Sequence, residues 1–237
     1  MKKSVVFLAA VVLCGCASGF DRAALRERLA SAPLQVTEAD IKAALDLKPQ
    51  LRFPFKLGVY LQTEERGPNY TYPSGVRSGE WSWSASDKER IVSWRTALVN
   101  EGVVSDLFII SDLIASGTDL KRVRLAAARY GADAVLIIQG ASQVDRYLNP
   151  LSFFYLTIVG GWFVPGTNID AIMMLQGAMW DVGNGYLYAT VDADGKANTT
   201  TPSMIANDKD VLDQAKQDAL QDFGAEFVRR VRSLYGS

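Results

Sequence analysis

The sequence predicts an α/β fold, a mixed sheet of about six strands with helices packed on it. Between residues 53 and 146, apolar β-type runs alternate with amphipathic helical ones, as in βαβ units. From residue 147 onward, apolar segments are separated by Gly- and Pro-containing turns, the pattern of antiparallel strands. The last thirty or so residues then carry apolar side chains every third or fourth position, as one long amphipathic helix does.

In chain order, a helix is expected over Asp21 to Ala30. A second follows in "ADIKAALDL", where Thr37 with Asp40 three residues on forms a variant capping box and Pro49 stops the helix. "FPFKLGVYLQ" (53–62) reads as a strand. The Gly-, Pro- and Ser-rich stretch after it holds Tyr70, Tyr72, Trp81 and Trp83 and reads as a long surface loop. Asp87 opens a helix to Asn100, "VVSDLFIIS" is a strand, and "TDLKRVRLAAARYG" is a helix with Gly131 as its cap. "ADAVLIIQGASQVDR" is the next strand, and the closing helix runs from Asn207 to Leu234.

The run from Tyr147 to Ile169 contains no charged residue. Its apolar core, Leu151 to Val164, would reach about 21 Å as a helix, against roughly 30 Å of hydrocarbon in a bilayer. Pro150, Gly160-Gly161 and Pro165-Gly166 punctuate it further. It is therefore expected to be a strand apolar on both faces, buried at the centre of the sheet. Two more strands should follow in "NIDAIMMLQGAMWDV" and "YLYATVDADG", joined by a turn at "GNG".

With 237 residues, 49% of them apolar, the chain can hold a substantial core. It has no histidine, which removes the usual general base and the commonest transition-metal ligand. Both cysteines, Cys14 and Cys16, lie in the first sixteen residues, so no disulfide or thiolate site is expected in the folded part. Net charge is −1 and the basic residues form no stripe, so no nucleic-acid partner is expected. Asp192 and Asp194 in "DADGKANTT" hint at a calcium loop, but the sixth and twelfth positions are Ala197 and Ser203, and the match fails. The stretch is expected to be an Asp-Gly turn at a strand end. "GNGYLY" lies between strands rather than at a strand-to-helix turn, so it is no phosphate loop. No catalytic residues, metal site or cofactor is expected.

"MKKSVVFLAAVVLCGCAS" pairs a basic start with a short apolar segment, as a secretory signal does. Its end, Leu13-Cys14-Gly15-Cys16, resembles the bacterial lipobox, which implies cleavage before Cys16 and diacylglyceryl attachment there. Two or three acyl chains (palmitate among them) make such an anchor effectively permanent. Ala17 rather than Asp after the cysteine resembles lipoproteins sorted to the outer membrane. The expected organisation is a signal peptide (1–15), a lipidated N-terminus and helical spacer (16–50), and one periplasmic α/β domain (51–237).

Four stretches, "LRFPFKLGVYL", "RYGADAVLIIQGASQ", "YLTIVGGWFVPG" and "LQGAMWDVGNGYLYAT", resemble the rhombotarget lipoproteins. The wider group includes the N-terminal domain of TolB and the periplasmic domain of the curli channel CsgG, and it implies an α/β fold. The family name reflects association with rhomboid-type sorting proteases and a C-terminal sorting tail. This chain departs from that pattern, ending "FVRRVRSLYGS".

Anchoring and resemblance together lead us to expect a non-enzymatic outer-membrane lipoprotein, an accessory or scaffold in envelope assembly or export. It would be held to the membrane by Cys16 and contact an envelope protein through Trp81, Trp83, Tyr70, Tyr72, Trp162 and Phe163. Two alternatives stay open: a CsgG-like oligomeric pore using a 151–181 hairpin, and an envelope ligand-binding module. Homo-oligomerisation is open with them.

Overall fold

The computed structural model describes residues 19–30, 37–62, 76–111, 114, 119–156 and 160–236. The signal segment, Cys16, Tyr70 and Tyr72 lie outside these residues. The sheet runs in the order β3 (Val104–Ile109), β1 (Phe55–Leu61), β4 (Ala134–Leu148), β5 (Thr167–Asp181) and β6 (Leu187–Thr201). A two-residue strand, β2 (Arg77–Ser78), pairs with the far half of β4. β1 is parallel to both its neighbours, whereas β4, β5 and β6 form an antiparallel meander. The α/β fold and mixed sheet are those the sequence predicts.

Helices cover both faces. α3 (Ala85–Asn100) and α6 (Asp208–Tyr235) contribute Ile91, Trp94, Leu98, Phe223 and Phe227 to the main core with Leu57, Val59, Leu136 and Leu175. On the other face, α4 (Leu120–Arg129) packs Val123, Ala126 and Ala127 against Tyr60, Ile110 and Val135. α1 (Arg22–Leu29) lies on that face too, with Leu25 and Leu29 buried against Ala141, Ile172 and Met174. Its packing makes α1 part of the folded body, although the expected boundary at residue 50 placed it in a spacer. α2 (Glu38–Asp46) has the expected capping box at Thr37 and Asp40 and buries none of its residues.

Two local expectations are corrected. Residues 151–164 are not a central strand. Pro150–Leu156 forms 3-10 turns, α5 (Gly160–Phe163) is a single helical turn, and residues 157–159 lie outside the described residues. Pro150 has no N–H for a ladder and suits the start of a helical turn, and the Asn149 side chain caps it by accepting from the Leu151 N–H at 2.9 Å. Length and apolarity cannot tell a buried strand from an exposed apolar turn, and the Gly and Pro punctuation decides here. The sixth strand is instead β2.

The second correction concerns Asp194-Gly195, which makes no turn. β6 runs straight through it, with Gly195 opposite Met173. A Cβ at Gly195 would sit 2.1 Å from the Ala215 carbonyl oxygen and 2.4 Å from the Ala219 nitrogen, so this glycine exists for the close crossing of α6. The expected turn at "GNG" does join β5 to β6, with Gly185 at φ +79°.

Candidate functional site

The antiparallel half of the sheet extends well beyond the parallel half. β1 pairs only with Ala134 to Ile138 of β4, leaving ten more residues of that strand running outward. At the far end Leu148, Thr167 and Thr201 stand in register on three adjacent strands. The connections that leave them, 149–166 and 202–206, therefore emerge together. Neither contains a charged residue.

This end is built with its polar groups inward. Asn149 donates from Nδ2 to the Pro165 carbonyl at 2.9 Å and to Asn168 Oδ1 at 3.2 Å, while its backbone N–H donates to the Gly166 carbonyl. The Tyr155 hydroxyl accepts from the Gly166 N–H at 2.8 Å and lies 3.1 Å from Thr167 Oγ1. Gly166 leaves no room for a side chain, since a Cβ would be 2.7 Å from the Ser152 backbone. The frame is thus closed on itself by hydrogen bonds.

The apolar side chains consequently point out. Phe153 is 72% exposed, Leu156 81%, Phe163 77% and Trp162 52%. Leu148, Leu151 and Phe154 add to the same surface, and so do Met204 and Ile205 of a 3-10 turn (Ser203–Ile205). α5 contacts both turns, joining them into one patch. The first charges behind it are Arg146 and Asp208, paired at 3.6 Å, with Arg77 on the same carboxylate at 2.7 Å. Single exposed apolar residues are ordinary, but a contiguous cluster of large ones marks a contact surface.

Of the residues singled out in the sequence, Trp162 and Phe163 belong to this patch. Trp81 and Trp83 do not. Their rings meet edge to face at 5.1 Å and pack on the main core. Trp83 Nε1 donates to the Gln62 carbonyl at 3.0 Å, and Trp81 lies over Gly140, where a Cβ would be 2.9 Å from its ring. Lys216 secures the loop between them by donating to the Ser82 carbonyl at 2.9 Å. These two rings close the core. Sequence alone does not single out Phe153, Phe154, Leu156, Met204 and Ile205, because the first three fall in the stretch expected to be a buried strand and the last two just before the closing helix expected from Asn207.

Elsewhere the polar groups are structural. Tyr188 donates to Asp181 at 2.6 Å and accepts from the backbone N–H groups of Gln50 and Leu51, tying that segment to the β5–β6 turn. Burial and the Asp181 carboxylate push its hydroxyl up to about 12. A shallow groove between α3 and α6 is floored by Trp94 and Gly224 and flanked by Arg90 and Arg232. Among the described residues, no group of three or more His, Cys, Asp or Glu is arranged to hold a metal, and no helix is long and apolar enough to cross a membrane.

No family model matches the chain, and no curated protein matches it. Among solved structures it is similar to the hypothetical protein CT253 from Chlamydia trachomatis at 12% identity and a TM-score of 0.35, over 75% of this chain and 97% of that one. It is also similar to a PelC dodecamer from Paraburkholderia phytofirmans at 16% identity and a TM-score of 0.28, over 75% of this chain and 89% of that one. At these values neither likeness speaks to function.

Proposed function

We propose that the protein is a lipid-anchored accessory or scaffold protein of the bacterial envelope, of the rhombotarget type its sequence resembles. It is held at the periplasmic face of the outer membrane through Cys16 and works by contact rather than by catalysis. The observation that carries this reading is the charge-free end of the sheet, where a hydrogen-bonded frame presents Phe153, Leu156, Trp162 and Phe163 to the outside. Burying each such side chain is worth roughly 1.5–3 kcal/mol, which a body with no contact at this end would forgo. The lipobox-like Leu13 to Cys16 and the complete lack of histidine support the same reading.

The test replaces the gene in its own host with Cys16→Ser and, separately, with the double variant Trp162→Ser and Phe163→Ser. The first should lose its acyl mass and leave the membrane fraction. The second should keep both yet reproduce the envelope phenotype of a deletion at normal abundance. A double variant indistinguishable from wild type in that phenotype would remove the basis for this reading.

A further inference from the structure

The direction of α1 bears on what the apolar end touches. Two glutamines of β4 hold this helix at its two ends. Gln143 accepts from the Asp21 N–H at 2.9 Å and donates to the Asp21 carbonyl at 3.1 Å, and Gln139 donates to the Leu29 carbonyl at 2.8 Å. The two glutamines are four residues apart on one strand, roughly 13 Å, which matches the roughly 12 Å length of an eight-residue helix. α1 therefore runs antiparallel to β4, with its N-terminal end toward Leu148 and the charge-free tip.

Gln143 stands five residues before Leu148, roughly 17 Å along the strand. Cys16 stands five residues before Asp21, and covalent geometry gives those residues a reach of at most about 18 Å. The N-terminal end of α1 thus faces the tip's end of the sheet, and Cys16 is tethered to it within that upper bound.

We propose that the tip inserts into the membrane interface beside the lipid on Cys16, as a second, non-covalent anchor that sets the orientation of the domain. The inference rests on the anchoring reading above. A bilayer surface accepts a cluster of apolar side chains with no charge among them, and Trp162 with an indole half in water suits the interfacial depth. Charges appear only behind the tip, at Arg146 and Asp208, where the headgroup layer would end. An apolar face buried about 5–10 Å into the headgroup and acyl boundary needs no spanning segment.

The test uses the full-length protein purified from the membrane of its producing cell, in which an acylated Cys16 leaves no free thiol. Phe163→Cys, and in a second protein Lys196→Cys on the exposed face of β6, are labelled with an environment-sensitive fluorophore. Each is reconstituted into vesicles of phosphatidylethanolamine with a minority of phosphatidylglycerol, with and without acyl-chain-brominated lipid. The expected result is flotation of both proteins, with quenching by brominated lipid at position 163 about twofold or more greater than at 196.

Flotation with equal, weak quenching at the two positions overturns insertion and leaves the anchor standing. A label at 163 that is shielded but not quenched, with a doubled native mass, assigns the tip to a second copy and also overturns it. Shielding without quenching in the presence of a co-purifying protein does the same in favour of that partner. A protein without acyl mass that fails to float overturns the anchoring reading and this inference together.

Discussion

Lys216 and Asp87 are both buried, 2.8 Å apart, between α6 and the start of α3. Burial pushes the Asp87 carboxyl up, but the Lys216 ammonium and the hydrogen bonds from Ser84 outweigh it and hold the group below its usual value. Ser84 and Asp87 form a capping box that the sequence reading passed over by starting the helix at Asp87. Lys216→Ala strands the carboxylate in the core and should cost about 3–5 kcal/mol in urea unfolding at neutral pH. Because the folded carboxyl is depressed, its contribution is present above the unfolded value near 3.9 and fades as pH falls through the folded value. The stability deficit of Asp87→Asn should therefore shrink in unfolding curves taken below about pH 4, and a deficit unchanged down to acid pH would assign the loss to packing alone.

At the level of elements, the tip and the helix crossing make separable predictions. Tyr155→Phe removes the hydroxyl that accepts from the Gly166 N–H and lies 3.1 Å from Thr167 Oγ1, leaving the Val164 carbonyl at 2.9 Å as the remaining acceptor of that N–H. Losing such a hydrogen bond costs about 0.5–1.5 kcal/mol, and hydrogen exchange should speed up over 149–156 and 160–166 while the amides of β1 and β4 keep their protection. Equal loss of protection in β1 would show that the tip is not an independent unit. Gly195→Ala pushes a methyl into the backbone of α6 and should lower stability by about 1–3 kcal/mol or more, read as a fall in Tm without any change at the tip. These two sites also mark how far the sequence was legible. Parallel strands, the capped start of α2 and the amphipathic α6 follow from local periodicity and capping, so they could be read. Gly195 looked like a turn because a glycine needed for a helix crossing carries no local signature. Residues 151–164 looked like core because apolar residues are expected inside, whereas this fold turns its Asn149, Tyr155 and Thr167 inward and its Phe153 and Leu156 out. Trp162 and Phe163 were found all the same, because the turn signal at Pro165-Gly166 placed them at a hairpin end.

On the scale of the whole molecule, a lipid at Cys16 and an inserted tip would hold the domain at two points on one end. The open polar face of β6 and the groove between α3 and α6 would then be free for a periplasmic partner. Two anchors on one body act through effective concentration, set by the chain that joins them. Inserting a Gly/Ser segment of about 20 residues between Ser18 and Gly19 gives the tether a mean span of roughly 25 Å, in place of a direct lead into docked α1. Acylation and flotation should survive, because they depend on Cys16. Quenching of a label at 163 by brominated lipid should fall but persist, since the tip must now find the bilayer at a local concentration that drops steeply with tether length. Leu25→Asp on its own, in the protein without the inserted segment, undocks α1 from Ala141, Ile172 and Met174 and should give a similar fall. Unchanged quenching in both variants would mean that the tip holds the bilayer on its own and that α1 contributes nothing to its placement. Complete loss in the insertion variant alone would mean that the tip reaches lipid only when the anchor drags it there.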